Sequence, residues 1–186
     1  MTRAATPFSH VRSALVALLL LSAPLCGGSA CAQSGPDDVL LPITGRITDG
    51  EHKLEGCEVI TYRDNERVGS ITTDKSGRFG LGLALNSSFS IEFRRAGFVP
   101  KRVQIDTHFP KAPDDLVFEP LVMDIGMLAE AKYNGVSTDE LDFPFARIRY
   151  DERAGMFAQD PEWTMGMQRT NGALLLMAGR VEKRER

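Results

Sequence analysis

The sequence predicts an all-β sandwich followed by a small mixed extension that ends in a helix. Between residues 41 and 106, short segments with period-two alternation are separated by turn-forming Gly, Asp, Asn and Ser residues. No apolar pattern with a 3.6-residue period occurs over a useful length in this part of the chain. A helical period begins only near residue 160, which predicts one terminal helical region.

Six strands are predicted in the first half of the chain. The segments are, in order, LPITGRITD, GCEVITYR, RVGSITT, RFGLGLAL, SFSIEFRR and KRVQIDT. Residues 110–120 contain three prolines and predict a connector. The segment LVFEPLVMDIGML predicts one more strand, and Ile148 and Tyr150 alternate with charged residues further on.

The terminal helix is predicted from its start signal and its apolar face. Asp160 is a candidate N-cap and Pro161 occupies the first helical position. Either one broken helix or two short helices fits, because Gly166 and Gly172 each cost about 1 kcal/mol in a helix interior. The tail RVEKRER predicts a frayed, solvated end. One face of the helix carries Trp163, Met167, Thr170 and Leu174.

The N-terminal 32 residues are typical of a secretory signal peptide. Arg3 and Arg12 precede the uncharged run SALVALLLLSAPL, and small residues follow it. The expected product starts at Gln33 and is periplasmic or on the cell surface. The alternative is lipidation at Cys31, which would give an outer-membrane lipoprotein and provides the only membrane contact that we predict. The formal net charge of −3 predicts no nucleic-acid partner.

The predicted organisation is therefore a signal peptide (1–32), a linker (33–40), a β-sandwich (41–110) and a C-terminal extension (111–186) with extra strands and the helix. Of the three cysteines in the sequence, only Cys57 follows residue 32. A single cysteine cannot form an internal disulfide, so the domain depends on its core for stability.

Marks of a known family are spread over residues 43–105. They are Gly45, the run Leu54, Gly56, Cys57 and Val59, the run Thr73, Asp74, Gly77 and Phe79, and the pair Gly97 and Phe98. In these marks the segment resembles the carboxypeptidase regulatory-like domain, although Lys53 and Cys57 stand where proline and alanine are usual. The resemblance implies a transthyretin-like β-sandwich. It also implies a domain that accompanies peptidases and outer-membrane receptors as a folding, docking or regulatory unit.

These marks have a structural interpretation. Asp74 can accept hydrogen bonds from the turn made by Ser76 and Gly77, after which Phe79 starts a strand and points inward. Gly56 is expected to permit close backbone approach. Cys57 lies on the same side of its strand as Val59, so it is interpreted as a small core residue rather than a reactive thiol.

His52 and Glu55 have the H-x-x-E spacing with which metallocarboxypeptidases bind zinc. A catalytic zinc site needs three protein ligands and an open position. The other histidine outside the signal peptide, His108, lies in a distant loop. The resemblance is to the accessory sandwich and not to the catalytic domain. No metal ligand, catalytic residue or cofactor is therefore predicted, and the pair is interpreted as part of a solvated loop.

Three weaker signals have structural interpretations that we prefer. Asp74 and Ser76 offer too few oxygens for calcium. The basic segment FRRAGFVPKR could meet an acidic partner, but a solvated sheet face is expected. A sugar-binding platform could be formed by aromatic residues, although the tryptophan is expected in the core. These residues are Trp163, Tyr62, Tyr133 and Tyr150.

The leading functional prediction is an exported docking module of the cell envelope, without enzymatic activity, whose partner is an unidentified envelope protein. Recognition would use strands and loops, including strand addition at a free sheet edge. The alternatives are a cell-surface protein that binds a glycan or another small ligand, and a zinc-dependent hydrolase that uses His52 and Glu55.

Overall fold

The computed structural model describes residues 40–109 and 118–185. The predicted signal peptide, Cys31, most of the linker and part of the connector lie outside these residues. The predicted all-β sandwich with a mixed extension ending in a helix is confirmed. The strands are β1 (Leu40–Thr48), β2 (Glu58–Arg63), β3 (Glu66–Thr72), β4 (Arg78–Ala84), β5 (Ser88–Arg94), β6 (Lys101–Asp106), β7 (Leu121–Gly126), β8 (Ala146–Asp151) and β9 (Met156–Gln159). Two short 3₁₀ helices (Glu130–Tyr133 and Asp139–Leu141) precede β8, and helix α1 (Pro161–Glu185) follows β9.

The strands form two sheets. The smaller has the order β4-β1-β7 and the larger has the order β3-β2-β5-β6-β8-β9. Most pairings are antiparallel, as predicted, but β7 pairs with β1 in parallel and β8 pairs with β6 in parallel. The segment after residue 118 therefore supplies strands to both sheets and is hydrogen-bonded into the sandwich.

The core lies between the sheets and follows the period-two pattern of the sequence. Cys57, Val59, Ile91 and Phe93 are fully buried, because alternate residues of a strand point to the same face. The opposite faces of β2, β5 and β6 carry mainly polar residues. The core also includes Leu41, Ile43, Ile47, Phe79, Leu83, Val103, Ile105, Met123 and Met127.

Two glycines of the family pattern fit the packing for different reasons. A Cβ on Gly45 would collide with the carbonyl oxygen of Met123 on β7 and lie 2.6 Å from Cζ of Phe79. Gly56 has no atom within 4 Å of that position, but its φ is +71°. Gly56 is therefore required for a left-handed backbone rather than for the close approach predicted from the sequence.

Helix α1 is one continuous helix of 25 residues, so neither a broken helix nor two helices form. The Oδ1 atom of Asp160 accepts the N–H of Trp163 at 3.0 Å, which is the predicted cap. The tail is helical through Glu185 rather than frayed. Leu174 on the predicted face is buried, whereas Leu176 is 69% exposed. No helix among the described residues is both long and apolar enough to cross a membrane.

Candidate functional site

Strand β3 forms one outer edge of the larger sheet. All seven of its residues are exposed, and within the described part of the chain it pairs only with β2. Asp64 and Asn65 make the turn between the two strands, with φ values of 49° and 68°, as a two-residue hairpin requires. Val68 is 45% exposed and Ile71 is 38% exposed, so the edge offers apolar side chains as well as backbone groups.

The direction of the backbone N–H and C=O groups on β3 follows from a hydrogen bond made by the residue just after the strand. Thr73 donates its N–H to the carbonyl of Cys57 at 3.0 Å, which is toward β2. Because successive residues of a strand point their N–H and C=O groups to opposite sides, those of Ser70 and Thr72 point away from β2. The free edge therefore presents alternating donors and acceptors.

Thr73 fixes the end of this strand to the preceding loop. Its hydroxyl accepts the N–H of Cys57 at 2.9 Å and donates to the carbonyl of Leu54 at 2.7 Å. Thr73 is 5% exposed and Cys57 is fully buried. A buried threonine is thus the polar partner that holds the loop of residues 49–57 against β3.

The polar outer face of the larger sheet contains a buried carboxylate. Glu92 on β5 is 3% exposed. Its Oε1 atom lies 2.5 Å from Nε of Arg94, and Oε2 lies 3.4 Å from Nη2 of Arg102 on β6. The hydrogen bond from Arg94 to Glu92 raises the pKa of that guanidinium. The positive charge of the segment predicted as a solvated basic face is therefore partly neutralised by the buried carboxylate of Glu92.

In the described part of the chain, His52 and Glu55 are not grouped with further side chains of the kinds that bind metals. His52 lies 3.6 Å from Asp49 through Nδ1, and Glu55 is an exposed loop residue. His108 instead bonds Asp106 at 2.5 Å. Among residues 40–109 and 118–185, no group of three or more His, Cys, Asp or Glu side chains is placed to hold a metal ion.

The turn that follows β3 is organised by Asp74. Its Oδ1 atom accepts the N–H groups of Ser76 and Arg78, both at 2.8 Å, and Gly77 has a φ of +70°. The Arg78 N–H and the Ser76 hydroxyl lower the pKa of the Asp74 carboxyl. These bonds, together with one from the Ser76 hydroxyl, all engage Oδ1 of the carboxylate. Gly97, with a φ of +79°, lies in the turn before β6.

Lys101 is the least expected residue of the basic segment. Its ammonium nitrogen lies 4.3 Å from the centre of the Phe145 ring, and burial lowers its pKa. No salt bridge to Lys101 forms among the described residues. Lys101 belongs with Tyr133 and Leu128 to the apolar contact region beneath helix α1.

The four aromatic residues considered as a sugar platform have different neighbours. Trp163 donates through Nε1 to the carbonyl of Pro144 and stacks under the Arg147 guanidinium, 3.4 Å from the ring centre. Tyr133 donates to Asn171, and burial raises its pKa. Tyr150 packs edge-on against phenylalanines, and Tyr62 lies on the polar face of β2. They do not form one stacking surface.

Sequence reasoning overlooked Glu92, although a signal was present. In SFSIEFRR the polar residues Ser88, Ser90, Glu92 and Arg94 alternate with the core residues, which places the glutamate on the outer face. The register then brings Glu92 opposite Arg102. The alternation could have predicted that these groups lie on one face of the sheet. It could not have predicted that the carboxylate is buried.

No protein-family model matches the sequence, and no curated protein matches it. Similar solved structures include 3-chlorocatechol 1,2-dioxygenase from Rhodococcus opacus 1CP, at 13% identity and a TM-score of 0.38 over 50% of this chain and 62% of that one. Klebsiella pneumoniae 5-hydroxyisourate hydrolase is similar at 15% identity and a TM-score of 0.30, over 47% of this chain and 96% of that one. A putative carbohydrate binding protein from Bacteroides uniformis has 13% identity and a TM-score of 0.31, over 57% of this chain and 43% of that one.

The prediction that the chain is not an enzyme is contradicted by these neighbours, because dioxygenases and a hydrolase are among them. The chain spans less than two thirds of the length of the chlorocatechol dioxygenase. At these identities and TM-scores the likeness concerns the fold alone, so no activity or substrate is transferred to this chain.

Proposed function

We propose that this protein is an exported interaction module that docks an extended segment of a cell-envelope protein along β3. The observation that carries the proposal is the exposure of all seven residues of this edge strand. The outward N–H and C=O groups of Ser70 and Thr72 can continue the ladder into an added strand. Such main-chain bonds give affinity, while pockets and side chains along the strand give specificity.

The side chains of β3 support selective rather than indiscriminate pairing. Exposed edges are usually protected by charge, by bulges or by cover. Here Arg67 donates to Glu58 at 2.8 Å, and a register irregularity occurs where β2 passes Thr61 and Tyr62. Val68 and Ile71 supply apolar contact beside these charges. The partner segment is accordingly extended, with apolar residues among polar ones.

The decisive experiment compares two substitutions at one residue. Ser70→Pro removes the outward N–H, whereas Ser70→Ala removes only the hydroxyl that donates to Glu58 at 2.9 Å. Proline is tolerated on an edge strand where the N–H faces solvent, so both variants are expected to fold. A photo-crosslinker at Val68 in the native cell identifies the partner. Its purified extended segment is then titrated into each variant.

Strand addition predicts that Ser70→Ala still binds the segment and that Ser70→Pro binds it about tenfold or more weakly. The proline removes at least one hydrogen bond of the ladder and leaves a buried group of the partner segment without its donor. Equal binding by both variants would exclude pairing at this edge. Export and anchoring are separate parts of the proposal. They are tested by mass spectrometry of the native protein, which identifies its N-terminal residue as either free Gln33 or lipidated Cys31.

A further inference from the structure

Two adjoining depressions lie on the polar face of the larger sheet, away from the free backbone edge of β3. Their volumes are about 240 Å³ and about 270 Å³. Asn65, Ser90 and Arg102 line both depressions. Together they form one shallow groove across β2, β5 and β6, with the Asn65 turn on one side and Pro144 on the other.

One end of this groove is cationic and rich in donors. Arg94 uses Nε to bond the buried Glu92, and its two terminal nitrogens have no hydrogen-bond partner among the described residues. Arg102 donates through Nη1 to the carbonyl of Asp142 at 3.2 Å and through Nη2 to Glu92. Glu92 thus orients two guanidinium groups, and the three charges sum to one positive charge at this end. An oriented guanidinium suits a carboxylate, which it can bind through two parallel hydrogen bonds.

The other end of the groove suits hydroxyl groups. Asp64, Ser88 and Gln104 line it and offer both acceptors and donors. Asp64 also carries a negative charge, which disfavours a second anionic group at this end.

We infer that the groove is a binding site for an acidic saccharide of one or two rings. The sugar carboxylate lies against Arg94 and Arg102, and the ring hydroxyls meet Asp64 and Gln104. Two observations select this class of ligand over a simple anion. First, the cationic end is continuous with an end that carries one carboxylate and several uncharged polar groups. Second, the combined volume of the two depressions exceeds the volume of a single oxyanion. The site lies on the sheet face, so it is independent of strand addition at β3.

Cellobiouronic acid and cellobiose provide matched probes, because they differ in a carboxylate on one ring. We expect saturable shifts of the backbone amide signals of Ser90, Arg94 and Gln104 when the intact protein is titrated with cellobiouronic acid. Charge-assisted hydrogen bonds contribute about 1.5–3 kcal/mol, so cellobiose should bind at least about tenfold more weakly. Acetate supplies the carboxylate without the ring and should bind more weakly than cellobiouronic acid.

Arg94→Gln and Arg67→Gln form a matched pair, since the two side chains are 52% and 54% exposed on the same sheet. Arg67 does not line the groove. The inference requires Arg94→Gln to weaken binding of cellobiouronic acid by about tenfold while Arg67→Gln leaves it within about twofold. Equal losses would reveal general charge attraction and overturn the site. Absence of saturable shifts in the unaltered protein, or acetate binding as tightly, would also overturn it, whatever the stability of the variants.

Discussion

The stability of the loop that precedes β2 should depend on the buried hydroxyl of Thr73. The substitution Thr73→Val removes this hydroxyl and therefore measures its contribution. Valine keeps the shape of threonine but removes the acceptor for the Cys57 N–H and the donor to the Leu54 carbonyl, at 2.9 Å and 2.7 Å. An unsatisfied buried group costs about 1–3 kcal/mol. Two such groups predict a loss of about 2–6 kcal/mol in the free energy of unfolding. At this chain length each kcal/mol lowers the midpoint of thermal unfolding by about 2–4 °C.

Thr72→Val is the control, because it makes the same chemical change one residue earlier at an exposed position. Its effect should lie within about 0.5 kcal/mol of zero. Urea unfolding of both variants, followed by circular dichroism and by the fluorescence of the single tryptophan, provides the comparison. If Thr73→Val and Thr72→Val unfold within about 0.5 kcal/mol of each other, the buried hydroxyl does not hold the loop, and the reasoning is refuted.

Gly45→Ala should destabilise the sandwich by about 1–3 kcal/mol because its Cβ meets a backbone carbonyl of β7, whereas Gly80→Ala, with its nearest atom at 3.8 Å, should fold normally in the same assay. Hydrogen bonding, chiefly from the Arg78 N–H, lowers the pKa of Asp74, so its contribution is present above the ordinary value of 3.8 and is lost as the pH falls. The destabilisation caused by Asp74→Ala should therefore be larger at pH 7 than near pH 2, and a difference independent of pH would contradict this. Burial lowers the pKa of Lys101, so stability should rise with pH toward the ordinary lysine value of about 10.4. Lys101→Met should flatten that rise, and an unchanged slope would count against burial of the charge.

Five of the six strands of residues 41–106 were predictable because each buries one face and exposes the other, whereas β3 is exposed along its whole length. In GCEVITYR and SFSIEFRR the alternate residues Cys57, Val59, Ile91 and Phe93 are buried as the pattern predicts, although Ile60 and Glu92 on the opposite face are buried as well. The helix start was predictable for a similar reason, since Asp160 and Pro161 are local signals. Local patterns also indicated that Phe79 begins a strand and points into the core.

The parallel pairings were not predictable, because they depend on contacts between distant residues. Nothing local in LVMDIG distinguishes a partner for β1 from a partner for β6. The continuity of α1 through Gly166 and Gly172 was missed because tertiary packing can outweigh helix propensity. Glu92 was missed because its burial depends on Arg94 and Arg102, one of which lies on another strand.

The parallel partnership of β1 with β7 has a consequence for biosynthesis. Ile43 lies beside Leu121 and Val103 lies beside Ala146, so neither sheet has all its strands until residues far along the chain have emerged. Closing such long-range contacts is slow relative to local pairing. A nascent chain that ends after β6 leaves β1 and β6 as open edges, which can pair with other chains. Assembly of the sandwich is therefore a late event in synthesis, completed only after β9 has left the ribosome.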